Sequence, residues 1–222
     1  MALSSLKRLA SQMPSSWQLE MKRHRYRRQI ANDTFVTDEP EYALLSSILD
    51  EGDWAIDVGA NIGHYTKRMS DLVGQAGRVI AFEPVADTFS LLAANVQKCE
   101  FQNVTLLNAA ASDATGLASI SIPHFENGEL NYYEASINDE PDGLSVMTMA
   151  IDSLQLNLPV RLVKIDAEGH ELSVLKGMHH LLKRDKPVLI VEVSSHEVHS
   201  FIESFGYSRE TLRNSPNHLY RA

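Results

Sequence analysis

Apolar positions along the chain follow two rhythms, short continuous runs and stretches of helical spacing. Ala55-Ile-Asp-Val58, Arg78-Val-Ile-Ala-Phe82, Val160-Arg-Leu-Val-Lys-Ile165 and Pro187-Val-Leu-Ile-Val191 are short and rich in β-branched residues, as buried strands are. Tyr42, Leu45, Ile48 and Leu49, then Met69 and Leu72, then Phe89, Leu92, Ala93 and Val96, recur at helical spacing between them. This alternation predicts an α/β fold, a mostly parallel sheet flanked by helices. Helix punctuation supports it. Asp38 as cap, Pro40 in the first turn and Glu41 closing a capping box start a helix that ends at Gly52. One helix, burying Leu172, Leu175, Met178 and Leu182, follows Glu171. Ser194 with Glu197 predicts another, through Val198, Phe201, Ile202 and Phe205 to Gly206.

Residues 114–150 break the rhythm. Leu117–Ile122 and Leu144–Met149 read as strands, with a turn signal at Asn127-Gly128. A β insertion there would lie over the binding crevice, and Tyr132, Tyr133, Glu134 and Asn138 are its candidate acceptor contacts. Two short strands around Ser215-Pro216-Asn217 close the chain. The organisation expected is a basic extension over 1–36 and a single domain over 37–222.

Composition narrows the class without changing the fold. The chain has 222 residues, 44% of them hydrophobic, enough for a full core. A single cysteine, Cys99, excludes a disulfide framework and fits a reducing, cytoplasmic setting. No apolar run has the length of a membrane span. Charge is uneven: residues 1–30 hold seven of the 20 Lys+Arg and one of the 29 acids, a balance of +6 against −15 for the rest. Lys22-Arg-His-Arg-Tyr-Arg-Arg28 is either a solvated face docked on the acidic body or a contact for an anionic partner. The acidic body argues against a nucleic-acid partner.

Candidate chemistry starts at Trp54-Ala-Ile-Asp57-Val-Gly59-Ala-Asn61-Ile-Gly63-His64, a strand that ends in a glycine turn and enters a helix. Such a turn aims free N–H groups at a ligand, at the strand end where open α/β sheets bind nucleotides. A dinucleotide fingerprint begun at Gly59 would need glycine at 61 and 64, where Asn61 and His64 stand, so a nicotinamide-dependent oxidoreductase is disfavoured. Glu83 ends the second strand and can hold adjacent ribose hydroxyls; the plainer reading is an acid at a helix start.

Asp57-Val-Gly-Ala-Asn-Ile-Gly-His-Tyr-Thr66, Phe82-Glu-Pro84 and Lys164-Ile-Asp-Ala-Glu-Gly-His-Glu171 together resemble the motifs of the FkbM family of S-adenosylmethionine-dependent, class I methyltransferases. The similarity runs from about Leu49 to Phe205. It implies a Rossmann-like, seven-stranded sheet with a C-terminal antiparallel hairpin. It implies that Asp57, Gly59, Ala60, Asn61, Gly63, Tyr65 and Thr66 surround the amino-acid end of S-adenosyl-L-methionine, with Glu83 and Pro84 at the ribose. Ser112 or Asp113 would meet the adenine, although Ser-Asp is equally common turn chemistry.

Oxygen methylation needs a donor, an aligned acceptor and a base. His170, an imidazole that titrates near neutrality, is the first candidate base; Asp166 either contacts and orients the cofactor or acceptor or takes the base role in its place, and Glu168 and Glu192 lie at the same mouth. Each has a structural alternative, as a helix-start histidine or a terminal acid. Lys164 needs an acidic partner, Asp166 or Glu192, if buried. Asp166, Glu168, His170 and Glu171 offer ligand types for a divalent metal, yet acids at a helix start need none, and no metal ligand is assigned. His179, His180, His196 and His199 read as surface. The function expected is O-methylation of a small hydroxylated acceptor, a sugar, glycan or polyketide-like metabolite; the alternative is a non-catalytic cofactor-binding module of the same fold.

Overall fold

The structure, a computed structural model, describes residues 15–123, 136–138, 143–193 and 195–222. In chain order the elements are α1 Ser15–Ala31, α2 Pro40–Ile48, β1 Trp54–Val58, α3 His64–Val73, β2 Arg78–Phe82 and α4 Ala86–Val96. Then come β3 Val104–Leu107, β4 Ala110–Ala111, β5 Gly116–Ser121, β6 Ser136–Asn138, β7 Leu144–Met149, a 3-10 turn Ile151–Leu154 and β8 Val160–Ile165. The last are α5 Glu171–Lys176, α6 His179–Asp185, β9 Val188–Glu192, α7 His196–Glu203, β10 Ser208–Thr211 and β11 Asn217–Arg221.

Seven strands form the main sheet in the order β10-β11-β9-β8-β1-β2-β3. All neighbours from β9 to β3 are parallel, and β11 runs antiparallel to both β9 and β10. Alternation along β1 sends Ile56 and Val58 to one face and Ala55 to the other, so both faces need cover. On the first face, α5, α6 and α7 bury Val174, Leu175, Leu182, Val198 and Ile202, with Met178 between α5 and α6. On the second, α2 and α3 bury Leu45, Ile48, Tyr65, Met69 and Val73 against Val79, Leu162 and Ile190. Truncating a fully enclosed residue such as Leu162 or Ile190 to alanine is expected to cost about 2–5 kcal/mol. Asn103 adds a polar rivet: its amide donates to the Ser70 and Gly74 carbonyls and its oxygen accepts from the Ser70 hydroxyl at 2.6 Å.

Residues of the 114–150 region build a second sheet, β4-β7-β5-β6, in which β5 is antiparallel to β6 and β7. Ala110–Ala111 joins it one strand earlier than the sequence pattern suggests. Asn127-Gly128, Tyr132, Tyr133 and Glu134 lie outside the described residues, as does the side chain of Asn138.

Several local expectations are corrected. Glu39, not Asp38, is the cap residue of α2, with no side-chain cap bond; Glu41 turns inward and its carboxylate accepts from the Asn217 amide of β11. A tie to the C-terminal hairpin therefore replaces the capping box. α7 is capped at Ser195 without a side-chain bond, and Ser194 lies outside the described residues. The single helix expected after Glu171 is two, α5 and α6, broken around Gly177. At Gly177 a Cβ would stand 1.8 Å from the Ser112 carbonyl oxygen, so helix packing there bends around the backbone of another segment. His180 and His196 are exposed, but His199 is half-buried and pairs through Nδ1 with the Tyr220 hydroxyl at 2.5 Å.

α1 is a docked helix. Tyr26 and Ile30 pack with Phe35 against Ile62 of the glycine turn and Leu91 of α4. The Phe35 ring lies 4.2 Å, centroid to centroid, from His64 at the start of α3.

Candidate active site

Side-chain chemistry converges at the carboxyl edge of β1, β2, β8 and β9. Parallel pairing sets Asp57 of β1 beside Lys164 of β8, and Val58 beside Ile165. Beyond them the chain must leave both strands at one point. Gly59, at φ +75°, solves this: a Cβ there would sit 1.9 Å from the Asp166 carbonyl oxygen. The Gly59 and Ala60 N–H groups both donate to the Phe82 carbonyl, at 3.1 and 2.9 Å, joining the turn to β2. Asn61 takes the left-handed region at φ 49°, which its short polar side chain tolerates. Gly63 caps α3 at φ +95° with Leu92 beneath it.

Glu83 is buried where β2 ends. Its Oε2 accepts from the Asn61 N–H and its Oε1 from the Val85 N–H, each at 2.9 Å. Burial pushes its carboxyl up to about 7, against the pull of those two N–H groups. Asn108, which the sequence pattern did not single out, fixes this exit by donating to the carbonyls of Glu83 and Pro84 at 2.8 and 3.0 Å. An asparagine directly after a strand and opposite Glu-Pro was the available signal.

A charged cluster occupies the other half. Asp57 is fully buried; its Oδ2 accepts from the Thr66 hydroxyl at 2.5 Å, and Oδ1 has no hydrogen-bond partner among the described residues. Burial raises its carboxyl, partly opposed by Lys164. Lys164 donates to Asp166 Oδ2 at 3.0 Å and lies 4.6 Å from the Tyr65 ring centroid. Burial disfavours its charge, but Asp166 and Asp57 overcome that and raise its pKa. The Tyr65 hydroxyl donates to Glu39 Oε2 at 2.6 Å. Glu39 is thus a further member of the site, hidden in the sequence by its resemblance to helix-start punctuation.

Asp166 is hydrogen-bonded to Glu192 as well as to Lys164. Burial and the Asp166 charge push Glu192 up to about 7, while Lys164 holds Asp166 below its usual value. Asp166, Glu168 and Glu192 bring carboxylate oxygens within 4.8 Å of one another. This is not the metal-type set of the sequence reading, because Glu171 accepts from the Gly169 N–H and His170 is engaged elsewhere.

His170 Nε2 lies 2.9 Å from the Ser112 hydroxyl, which also donates to Asp113 at 3.2 Å. Burial lowers the imidazole pKa, opposed by Asp113 and Glu171, so the neutral ring dominates at pH 7. Sequence-selected residues far apart in the chain are therefore in contact, but His170 joins the Ser112–Asp113 exit rather than the Lys164–Asp166–Glu192 cluster.

A cavity of about 350 Å³ links these parts, walled by Gly59, Glu83, Ala110, Asp166, His170 and Glu192. Ile120 and Ile137 of the second sheet and Pro216 of the C-terminal hairpin complete its wall. A hollow of about 120 Å³ adjoins it through shared residues Glu39, Gly59, Asn61 and Asp166, and reaches Asp57, Gly63, Tyr65 and Lys164. A larger hollow, about 910 Å³, runs along α1 from Trp17 to Thr34 and is lined by none of these crevice residues.

Sheet order, the reversed β11 and a crevice at the carboxyl edge define a class I methyltransferase fold. Within that class, the chain belongs to the FkbM methyltransferase family: the model described as the methyltransferase FkbM domain matches residues 57–221. It is 29% identical over 163 residues to the hexuronic acid methyltransferase AglP of Haloferax volcanii, covering 72% of this chain and 62% of that protein. The chain thus spans less than two thirds of that relative. The crystal structure of an FkbM methyltransferase from Methylobacillus flagellatus superposes with a TM-score of 0.60 at 20% identity, over 83% of this chain and 48% of that one. Aeropyrum pernix fibrillarin, solved with natively bound S-adenosyl-L-methionine, superposes at 0.53 with 14% identity, over 82% and 73%. These two likenesses show the fold. Among the described residues no helix is long and apolar enough to cross a membrane.

Proposed function

We propose that the chain is an S-adenosylmethionine-dependent O-methyltransferase acting on a hydroxyl of a small sugar-like acceptor. The observation that carries this is the meeting, in one crevice, of a ribose-type acid, Glu83, with a hydrogen-bonded carboxyl pair, Asp166 and Glu192. The cofactor fits the groups present. Asp57 Oδ1 is buried without a hydrogen-bond partner among the described residues, and Glu83 retains lone pairs for two hydroxyls. Glu83 and Pro84 would hold the ribose and Ser112–Asp113 the adenine. Asp57, Ala60, Asn61, Gly63, Tyr65 and Thr66 would enclose the amino-acid end.

S-adenosylmethionine, when bound, supplies an electrophilic methyl group on sulfur. The chain's own task is then to orient the acceptor and remove its proton. The Asp166–Glu192 pair is suited to this because Lys164 keeps Asp166 ionised while Glu192 exchanges its proton near neutrality. The acceptor hydroxyl gives its proton to Glu192, and Asp166 orients the carboxyl that receives it. His170, held on Ser112, positions the adenine-side exit; Glu168 flanks the mouth. Lys164 answers the charge of Asp166 directly, and this reading assigns no metal.

A sugar acid or related glycan hydroxyl is favoured as acceptor by the likeness to a hexuronic acid methyltransferase. A cytoplasmic setting goes with the single, buried Cys99. The test is calorimetric titration with S-adenosylhomocysteine and separately with NAD, with and without magnesium. It is followed by transfer of labelled methyl to a panel of uronic acids and neutral sugars. Binding of S-adenosylhomocysteine and labelling of a hydroxyl are expected. Binding of NAD in its place would overturn the assignment, and cofactor binding with no transfer to any hydroxyl would favour a non-catalytic module.

A further inference from the structure

The basic run at the start of the chain belongs to α1, and the helix uses only one of its sides to pack. Tyr26, Ile30 and half-buried Leu19 form the inner face on Ile62, Phe35 and Leu91. At 100° per residue, Trp17, Met21, His24 and Arg28 (i, i+4, i+7, i+11) form a single stripe on the opposite side. Arg25 borders that stripe. All five are exposed, Trp17 by 66% and Met21 by 53%. Glu20, the only acid of the helix, also borders the groove, and it is paired with Arg23, which leaves Arg25 and Arg28 on this face without an acidic partner among the described residues. The groove of about 910 Å³ follows this stripe, reaching from Trp17 and Met21 past His24, Arg25 and Arg28 to Thr34.

A merely solvated helix has no use for an exposed tryptophan and methionine one turn apart beside arginines. We propose that this outward face of α1 docks on an anionic lipid bilayer. Trp17 and Met21 would enter the headgroup boundary, where an indole ring is favoured, while Arg25 and Arg28 meet lipid phosphates. Charge complementarity sets the direction: residues 1–30 carry +6 and the remainder −15, so an anionic surface attracts this end and repels the body. RNA would use the arginines but leave Met21 without a role. Docking here leaves the crevice residues untouched, since none of them lies on the stripe.

The test is co-sedimentation of the full chain with vesicles of phosphatidylcholine alone or containing about one quarter phosphatidylglycerol. Binding to the anionic vesicles alone, weakened by salt, is expected. Arg25→Glu with Arg28→Glu should lower it about tenfold or more, and Arg25→Lys with Arg28→Lys should retain it. Trp17→Ser with Met21→Ser, which keeps every charge, should also lower it about tenfold. Each variant should melt as the parent does, because these side chains are exposed. No anionic preference, or full binding by the Trp17→Ser, Met21→Ser variant, would overturn the proposal. So would a finding that the same substitutions abolish RNA binding or self-association instead.

Discussion

The carbonyl oxygen of Asp166 occupies the space that Gly59 leaves open: a Cβ on residue 59 would lie 1.9 Å from it. Two motifs about a hundred residues apart are thus in steric contact through a glycine at φ +75°. Gly59→Ala must both adopt a left-handed backbone and displace Asp166. The expected cost is about 2–4 kcal/mol, summing the two effects, with cofactor affinity lost alongside. Thermal melting and S-adenosylhomocysteine titration measure both, and a variant with parental values would show that the turn is looser than described.

Glu83 gives a pH signature of opposite sign for stability and for binding. Its folded pKa is raised from 4.5 to about 7, so its contribution to stability is fully present below about 4.5 and is lost as pH rises toward and through 7. Binding of ribose hydroxyls needs the ionised acceptor, so cofactor affinity should rise over the same window. Glu83→Gln removes both trends and should weaken binding about tenfold or more at pH 8, through loss of charged hydrogen bonds. An affinity that stays pH-independent in the parent would end the ribose assignment.

His170 is expected to act on position rather than on protons. Its Nε2 is committed to the Ser112 hydroxyl at 2.9 Å, and Ser112 leads to Asp113. His170→Ala should raise KM for the cofactor several-fold, by about one hydrogen bond's worth, and leave kcat within a factor of about three. His170→Asn, which can keep a donor toward Ser112, should recover part of the loss. A fall in kcat with KM unchanged would return the base role to the imidazole.

Where the sequence was legible, a strong local rule governed the residues. Continuous apolar runs marked β1, β2, β8 and β9, since a strand covered on both faces admits little else. Glycines at 59 and 63 marked the turn, because few residues take those angles. What escaped was decided by contacts distant in the chain. Glu41 looked like half of a capping box but is held by Asn217, 176 residues away. Helical spacing ran from Leu172 to Leu182, yet Gly177 meets Ser112 and splits it. Glu39 and Pro216 border the crevice without any motif to announce them. Likewise the two sides of α1 are told apart by what Tyr26 packs against, not by its charge run.

Glu192 carries the most direct test of the chemistry. It ends β9, which pairs with β8 through Val191 and Ile165, and Asp166 follows β8 directly with its N–H held by the Val58 carbonyl at 3.1 Å. Lys164 is nearer to Asp166, at 3.0 Å, and holds that group ionised; the shared proton therefore rests on Glu192 and leaves near pH 7. A base of this kind predicts a turnover that rises with pH through about 7. Glu192→Gln preserves the shape and the hydrogen bond to Asp166 but cannot accept the proton. It should lower kcat by about 10²–10³ and flatten the rising limb, with S-adenosylhomocysteine affinity nearly unchanged. Lys164→Met should raise the pKa of that limb instead, because the pair loses its compensating cation. If Glu192→Gln turns over at the parental rate with the limb intact, the proton goes elsewhere, and Asp166→Asn becomes the variant that decides.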